Sequence, residues 1–299
     1  MKTGMRRTVV NANRFRLAGD SFARSDDNSI ESKRVIFIST EGTETEPGYF
    51  RLLNEHLKAR RRDCPYVLHV LEHRHDTNSS PNHVLGLLEE CKAVRQGCHL
   101  FKDIARMANR LLTAKRIEAF FNHPDRLSSA QRSEVQTVIE KLGIDIDYWH
   151  YLRAIGGSTS YDDDLFAVVI DRDRKCHTRK SLKELLDACV EKKIDFCLSN
   201  PCFELWLILH FEYHLTPEDR RRLQANERCS DAHSYASKLL STLVRQKKNV
   251  RATDFNRLYL PKTRIAMKKA EKLASSPVAV LDEIGTTVPV LVKRFLEWI

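Results

Sequence analysis

The sequence lacks several patterns that would define a function at once. Its 299 residues contain no run of about 18 apolar residues, so we expect no membrane-spanning helix. None of its eight cysteines stands in a Cys-x-x-Cys pair, which disfavours zinc ribbons and thioredoxin-like motifs. A Gly-x-x-x-x-Gly-Lys phosphate loop is absent, so the chain brings no nucleotide-hydrolysing motor of its own. No apolar secretory signal opens it, and several cysteines lie in apolar company, which together predict a reducing cytoplasm.

What the chain does contain is an excess of positive charge. The formal net charge is +10. The composition, with 42% hydrophobic and 30% charged residues, is typical of a globular protein with an apolar core. A polyanion such as RNA or DNA fits this charge. A solvated basic surface explains it equally well, so charge alone leaves the partner open. Assembly with further copies of the chain is also left open.

Alternating strand and helix patterns predict an α/β fold. Two near-continuous apolar runs, Val35–Ile38 and Phe166–Ile170, are typical of strands in a parallel sheet that is covered on both faces. Helices predicted over 179–192 and 202–213 alternate with strands over 165–170 and 194–198, which favours right-handed crossovers. We therefore expect a mostly parallel sheet flanked by helices.

The same patterns divide the chain into four regions. A polar, basic segment without periodicity is predicted to be a flexible arm, and a helical insertion interrupts the α/β core. Beyond the core the chain is predicted to be helical. The regions are the arm over 1–33, the core over 34–96 and 157–215, the insertion over 97–156 and the C-terminal region over 216–299.

Acidic residues follow the two strongest strands. Glu41 comes directly after the first strand, and Asp171 and Asp173 follow the later one as Asp-Arg-Asp. On extended backbone, residues two apart point the same way, so both aspartates could approach one cation while Glu41 arrives from the neighbouring strand. Clustered carboxylates favour Mg²⁺ or Mn²⁺. The alternative is that Glu41 caps the next helix and the aspartates form a turn.

A family resemblance adds to this interpretation. Glu-Gly after a first strand and Asp-x-Asp after a later one resemble the Toprim fold of topoisomerases, primases and OLD-type nucleases. Three longer motifs and a tail segment resemble the RloB family of phage-resistance proteins. They are Ile38-Ser-Thr-Glu-Gly-Thr-Glu-Thr-Glu-Pro-Gly-Tyr-Phe50, Val169-Ile-Asp-Arg-Asp173, Leu198-Ser-Asn-Pro-Cys-Phe-Glu-Leu-Trp-Leu-Ile-Leu-His-Phe211 and Tyr259-Leu-Pro-Lys-Thr263. The insertion over 97–156 has no counterpart in this resemblance.

The resemblance implies a Toprim-like core and a metal-dependent nuclease that defends against phage by abortive infection. It carries metal binding to Glu41, Asp171 and Asp173, with Mg²⁺ or Mn²⁺ as cofactor. The implied substrate is RNA, including tRNA, or DNA, and an ATPase is implied as a partner protein. The alternative is a non-catalytic subunit that binds nucleic acid or regulates a defence complex.

Five further residues are candidates for the site. Glu204 follows Pro201, which is predicted to start a helix, and it either completes a second metal site or hydrogen-bonds Ser199 and Asn200 as a capping carboxylate. Ser199 and Asn200 are predicted to contact phosphate or to support the ligands. Lys175 is predicted to bind substrate and Lys262 to assist catalysis as a cation, although an exposed lysine explains each equally well. Glu44 and Glu46 fit a helix start better than a metal site.

Overall fold

A computed structural model describes most of the chain, including the whole predicted core apart from short gaps. The described residues are 34–59, 64–73, 80–95, 100–108, 111–142, 144, 146–155, 164–230, 233–245 and 250–299. The predicted arm over 1–33 lies outside them. Within these ranges, no helix has the length and apolar character needed to cross a bilayer.

Five strands form one sheet in the order β2-β1-β3-β4-β5. The strands are β1 (Arg34–Thr40), β2 (Tyr66–Val70), β3 (Leu165–Asp171), β4 (Asp195–Asn200) and β5 (Gly285–Thr286). The first four are parallel, and β5 runs antiparallel to β4. This confirms the predicted α/β class with a mostly parallel sheet, an architecture consistent with a Toprim-like fold.

Fourteen helices are described. They are α1 (Thr45–Ala59), α2 (Pro81–Arg95), α3 (Leu100–Met107), α4 (Ala114–Asn122), α5 (Ser129–Lys141), α6 (Ile146–Ile155), α7 (Arg179–Glu191), α8 (Glu204–Ile208), α9 (Pro217–Gln224), α10 (Tyr235–Val244), α11 (Ala252–Asp254), α12 (Thr263–Ala270), α13 (Pro277–Val280) and α14 (Val288–Val292). A π-helical turn over Phe255–Tyr259 and a 3₁₀ turn over Leu260–Lys262 connect α11 to α12. Further 3₁₀ turns span Pro124–Arg126 and Lys293–Phe295.

One face of the sheet packs against an apolar core, and alternate residues of the strands contribute side chains to that core. Ile36 and Ile38 of β1 and Ala167 and Val169 of β3 point into this core, as the two-residue period of a strand requires. Helix α1 covers them with a buried face, and Trp206 of α8 is fully buried in the same cluster. Burying each such large side chain contributes about 1.5–3 kcal/mol to folding. The ends of β1, β3 and β4 are thereby fixed relative to one another.

The described part of residues 90–161 forms a compact unit of its own. Its helices enclose a separate apolar core that includes Ile104, Ile117 and Val135. Helix α5 begins with a capping box: the Ser128 hydroxyl accepts from the backbone N–H of Gln131, whose side chain accepts from the backbone N–H of Ser128. The second unit contains the sheet, with the described residues of 31–89 and 162–299.

Two predicted elements differ in the structure. The helix expected over 202–213 is the short α8, which ends at Ile208. Strand β4, expected over 194–198, continues to Asn200, and its Ser199 and Asn200 pair with Thr286 and Gly285 of β5. The region beyond 216, expected to be helical, supplies β5 as well. A Cβ at Gly285 would lie 1.9 Å from the carbonyl oxygen of Ala274, so this strand requires glycine there.

Candidate metal centre

The strands β1 and β3 end side by side, and a carboxylate lies at each end. The backbone N–H of Glu41 donates to the carbonyl oxygen of Val169 at 2.9 Å. The Glu41 side chain continues across the gap, where its Oε2 accepts a 3.0 Å hydrogen bond from the backbone N–H of Asp171. Glu41 and Asp171 therefore lie together at the carboxyl edge of the sheet, where open α/β folds bind their ligands.

Glu46, at the start of α1, belongs to the same group. It is only 6% exposed, and its negative charge acts directly on Asp171. The preceding turn makes room for it, since a Cβ at Gly42 would lie 2.2 Å from Glu46 Oε2. The hydroxyl of Thr40 donates to the carbonyl oxygen of Gly42 at 2.8 Å and fixes that turn. The sequence favoured a helix start for Glu46 and left a place at the metal as the weaker alternative. In the structure Glu46 lies in the first turn of α1 and also acts on Asp171.

A fourth carboxylate comes from the segment after β4. Glu204 is 7% exposed, and the Ser237 hydroxyl donates to its Oε1 at 3.0 Å. The backbone N–H of Phe203 donates to Asp171 Oδ1 at 2.8 Å, which ties the start of α8 to the end of β3. Ligand atoms of Asp171, Cys202 and Glu204 all lie within 4.8 Å of one another. The structure thus brings Glu204 to the centre.

The electrostatics of the cluster are unfavourable without a counter-charge. Burial raises the pKa of Asp171 well above its usual range, and the charges of Glu46, Glu204 and Glu41 raise it further. The Phe203 N–H opposes this change. Burial likewise raises the pKa of the Cys202 thiol, with further contributions from Glu204 and Asp171. A cation among these groups would relieve the repulsion.

Asp173 has different neighbours. Strand β3 ends at Asp171, so the alternation of extended backbone does not continue to Asp173. Its carboxylate accepts from the backbone N–H of Lys175 at 3.0 Å, the thiol of Cys176 at 3.3 Å and the side-chain amide of Asn226 at 3.1 Å. Burial acts to raise its pKa, but these three hydrogen bonds hold the pKa below its ordinary value. Metal binding by Asp173 stays a prediction.

His177, to which sequence reasoning gave no role, contacts Glu41 directly. Its Nε2 lies 2.9 Å from Glu41 Oε1. The buried Arg172 donates from one terminal nitrogen to the carbonyl oxygen of His177 at 2.7 Å. A histidine in a turn between a strand and a helix cap is a weak sequence signal. Its partner lies 136 positions earlier, so no local pattern could have shown the pair.

Ser199 and Asn200 are fully buried next to β5. The hydroxyl of Ser199 lies 2.8 Å from that of Thr286, and the Asn200 side-chain amide donates to the carbonyl oxygen of Val280 at 2.8 Å. Both residues have 0% exposure. In this arrangement they support the end of β4, and their predicted contact with substrate phosphate stays a prediction.

The two candidate lysines lie in different places. Lys175 is exposed to solvent in the turn after Asp173, where its backbone N–H donates to the Asp173 carboxylate. Lys262 ends the 3₁₀ turn before α12, where its charge acts on buried His210 and on Lys269. Substrate binding by Lys175 and catalysis by Lys262 stay predictions.

The donor set fits a hard divalent cation. The carboxylates of Asp171 and Glu204 lie together, and the charges of Glu41 and Glu46 act on Asp171. Carboxylate oxygens are the preferred ligands of Mg²⁺ and Mn²⁺. The space that Gly42 leaves open allows Glu46 to reach this group. The nearby thiol of Cys202 adds a softer donor, which Mn²⁺ tolerates better than Mg²⁺. The residues whose ligand atoms lie together and could hold the ion are Asp171, Cys202 and Glu204, and Glu41 and Glu46 act on Asp171 through their charges.

Comparison with known proteins identifies a family. The model of the family described as RloB-like protein matches residues 36–295, which is most of the chain and includes every residue of the cluster. No curated protein and no solved structure matches the chain significantly.

Proposed function

Because the chain belongs to the RloB-like protein family, we propose that it is a metal-dependent nuclease that acts in defence against phage. The observation that carries this proposal is the convergence of Glu41, Glu46, Asp171 and Glu204 at one edge of the sheet. Such a cluster is costly in an apo protein, and a cation would offset that cost. The proposed substrate is a phosphodiester of RNA, including tRNA, or of DNA.

In this proposal, some residues of the chain bind the metal ion and others orient the carboxylates that bind it. Glu41 and Asp171 bind the ion from neighbouring strand ends, while Glu46 and Glu204 approach from the starts of α1 and α8. When bound, Mg²⁺ or Mn²⁺ supplies charge stabilisation for the phosphate and positions a water. The Phe203 N–H holds Oδ1 of Asp171, and the Ser237 hydroxyl holds Oε1 of Glu204, so both carboxylates are oriented before substrate arrives.

The net charge of +10 supports a nucleic-acid substrate. Lys175, exposed in the turn that follows Asp173, is the proposed contact to a substrate phosphate. An ATPase partner would supply the sensing step, because the sequence carries no phosphate loop of its own. The expected place of action is the cytoplasm.

The first test is metal binding by the purified full chain. Titration with Mn²⁺, followed by calorimetry, should show binding to the wild type that Asp171→Asn and Glu41→Gln weaken by tenfold or more, since each removes a charged ligand (a factor of ten is about 1.4 kcal/mol). The matched control is Asp187→Asn, which neutralises an exposed carboxylate that pairs with Lys183 on α7. Absence of binding by the wild type would contradict the proposal.

The second test is cleavage. The wild type, alone and together with the product of any adjacent ATPase gene, is incubated with total RNA and with plasmid DNA, with Mn²⁺ or with EDTA. We expect cutting that EDTA and Asp171→Asn abolish and that Asp187→Asn retains. Metal-dependent binding of nucleic acid without cutting in all mixtures would instead support the non-catalytic subunit.

A further inference from the structure

Both oxygens of Glu41 are engaged by hydrogen bonds within the protein. Oε2 accepts from the backbone N–H of Asp171 at 3.0 Å, and Oε1 lies 2.9 Å from His177 Nε2. The two side chains are 16% and 9% exposed. Because a carboxylate only accepts, Nε2 carries the proton that it donates to Oε1. The direction of the Glu41 carboxylate is thus set from two sides.

The turn that carries His177 is itself tightly built. The carbonyl oxygen of Asp173 accepts from the backbone N–H groups of Cys176 at 3.0 Å and of His177 at 2.8 Å. The Asp173 carboxylate accepts from the backbone N–H of Lys175 inside the turn and from Asn226 outside it. The first residue of the Asp-Arg-Asp motif and its last thus serve different purposes: Asp171 faces the cluster, and Asp173 closes the turn.

Arg172 braces the same turn from the other side. It is 6% exposed, and it donates to the carbonyl oxygen of His177 at 2.7 Å and to that of Leu281 at 2.9 Å. The backbone of the turn that carries His177 is therefore attached through Asp173 to Asn226, just beyond the end of α9, and through Arg172 to the end of α13. These contacts fix the point from which the imidazole extends to Glu41.

Orientation matters at this position because Glu41 lies among like charges. Glu41 shares the site with Asp171, whose neighbours include Glu46 and Glu204, so without a fixed donor its side chain would be repelled toward solvent. Each carboxylate oxygen has two lone-pair directions, and one hydrogen bond leaves the other free for a cation. Donors of this kind, one shell outside the ligands, commonly raise metal affinity by roughly tenfold to a hundredfold.

We propose that His177 is a positioning residue that holds Glu41 in the orientation that binds metal, and that Arg172 and Asp173 act through it by building its turn. The inference rests on the proposed function, since it concerns the same centre. This positioning role makes a demand that general stabilisation of the fold does not make: the hydrogen-bond donor must lie as far from the backbone of residue 177 as Nε2 does. A glutamine side chain places its amide nitrogen about where Nε2 lies, whereas asparagine reaches only as far as Nδ1.

The test compares His177→Gln with His177→Asn and His177→Ala in the full chain, with Mn²⁺ alone as the probe. Calorimetry should give an affinity within about threefold of the wild type for glutamine, and a loss of about tenfold or more for asparagine and alanine. The matched control is His56→Asn, which removes another Nε2 contact, to the carbonyl oxygen of Trp298 at 3.0 Å on the far end of α1. It should bind Mn²⁺ as the wild type does.

Thermal unfolding of each variant without metal separates folding from positioning. If asparagine and glutamine variants unfold alike but bind Mn²⁺ differently, the donor position decides affinity. If the His177→Asn variant binds Mn²⁺ as tightly as the wild type while Asp171→Asn still weakens binding by tenfold or more, the inference is overturned and the proposed function is not. No Mn²⁺ binding by the wild type would overturn the proposed function and this inference with it.

Discussion

The carboxylate of Glu46 occupies the space into which a side chain at Gly42 would project. A Cβ there would lie 2.2 Å from Oε2 and 2.6 Å from Oε1 of Glu46. The two residues lie on either side of the turn between β1 and α1, so the glycine lets the first turn of the helix fold its acid back toward Asp171. This relationship turns a residue that suits a helix start into a member of the acidic cluster.

Gly42→Ala should therefore weaken metal binding with little effect on folding. The methyl group would push aside the end of a flexible side chain, which costs little stability, but Glu46 would leave the site. We expect at least a tenfold lower affinity for Mn²⁺ by calorimetry, as for loss of a ligand, and a nearly unchanged melting temperature. The matched control is Gly86→Ala within α2, where a Cβ meets nothing within 4 Å. Alanine there should add about 1 kcal/mol of stability and leave Mn²⁺ affinity unchanged. Wild-type affinity in Gly42→Ala would remove Glu46 from the ligand set.

The sequence was sufficient to predict the parts of the fold that repeat a local pattern. The apolar runs Val35–Ile38 and Phe166–Ile170 are long enough to identify buried parallel strands, and the structure confirms both. Strand β5 could not be predicted, because Gly285 and Thr286 are too few for any periodicity. Thr286 pairs with Ser199, which lies 87 positions earlier. Contacts of this kind depend on the assembled fold.

The residues of the candidate site likewise include some that a local sequence pattern identifies and others that only the fold brings together. Glu41 and Asp171 could be identified because each follows a strand that the sequence makes plain. Glu46 was visible, but its direction depends on Gly42 and on the depth of the turn, which no spacing rule gives. His177 is tied to Glu41 only through the pairing of β1 with β3, so its role appears only in three dimensions.

Asp171→Asn should stabilise the apo protein while it weakens metal binding. Burial and three neighbouring acids hold the pKa of Asp171 well above its usual range, so the folded state is penalised for carrying its charge. Asparagine is neutral, has the same shape and still accepts from the Phe203 N–H. We expect a gain on the order of 1–3 kcal/mol in urea unfolding at neutral pH.

The difference in stability between the wild type and Asp171→Asn should depend on pH. Below the pKa of an unfolded aspartate, about 3.9, Asp171 is neutral in both states, so wild type and Asp171→Asn should be equally stable. The difference should grow as the pH rises between the unfolded and the raised folded pKa. With Mn²⁺ at about a hundred times its dissociation constant, the wild type should gain about 2.7 kcal/mol and the variant, which binds at least tenfold more weakly, about 1.4 kcal/mol or less. A less stable apo variant would contradict the electrostatic account.

Asp219 is not a member of the acidic cluster, and its charge should stabilise the folded state, whereas the charge of Asp171 destabilises it. It is 4% exposed and accepts hydrogen bonds from the hydroxyls of Tyr213, Thr216 and Tyr235. Burial acts to raise its pKa, but these donors lower it to about 2. The stabilisation is therefore complete above the unfolded pKa and is lost as the pH falls toward 2. Asp219→Asn should cost about 1.5–3 kcal/mol at neutral pH in urea unfolding.

The loss should shrink when the same measurement is made near pH 2. The control is Glu218→Gln, which neutralises the adjacent acid, exposed and paired with Arg221, and should change little. A penalty for Asp219→Asn that stays constant between neutral and strongly acidic pH would show that the charge of Asp219 is not what the three hydroxyls stabilise.

Asp173 offers the sharpest choice between two roles, because an asparagine substitution separates them. A metal ligand needs the charge, whereas the turn needs an oxygen that accepts from the Lys175 N–H and from Asn226 at Oδ1. The Asp173→Asn variant would keep that acceptor, and its new amide would face the Cys176 sulfur, which can accept. We expect Asp173→Asn to bind Mn²⁺ within about threefold of the wild type and Asp173→Ala to lose about tenfold, the size of loss expected for His177→Asn, because both release Glu41. Equal, large losses for asparagine and alanine, comparable with that of Asp171→Asn, would instead place Asp173 among the ligands. Calorimetry with Mn²⁺ on the three variants in parallel decides between the two.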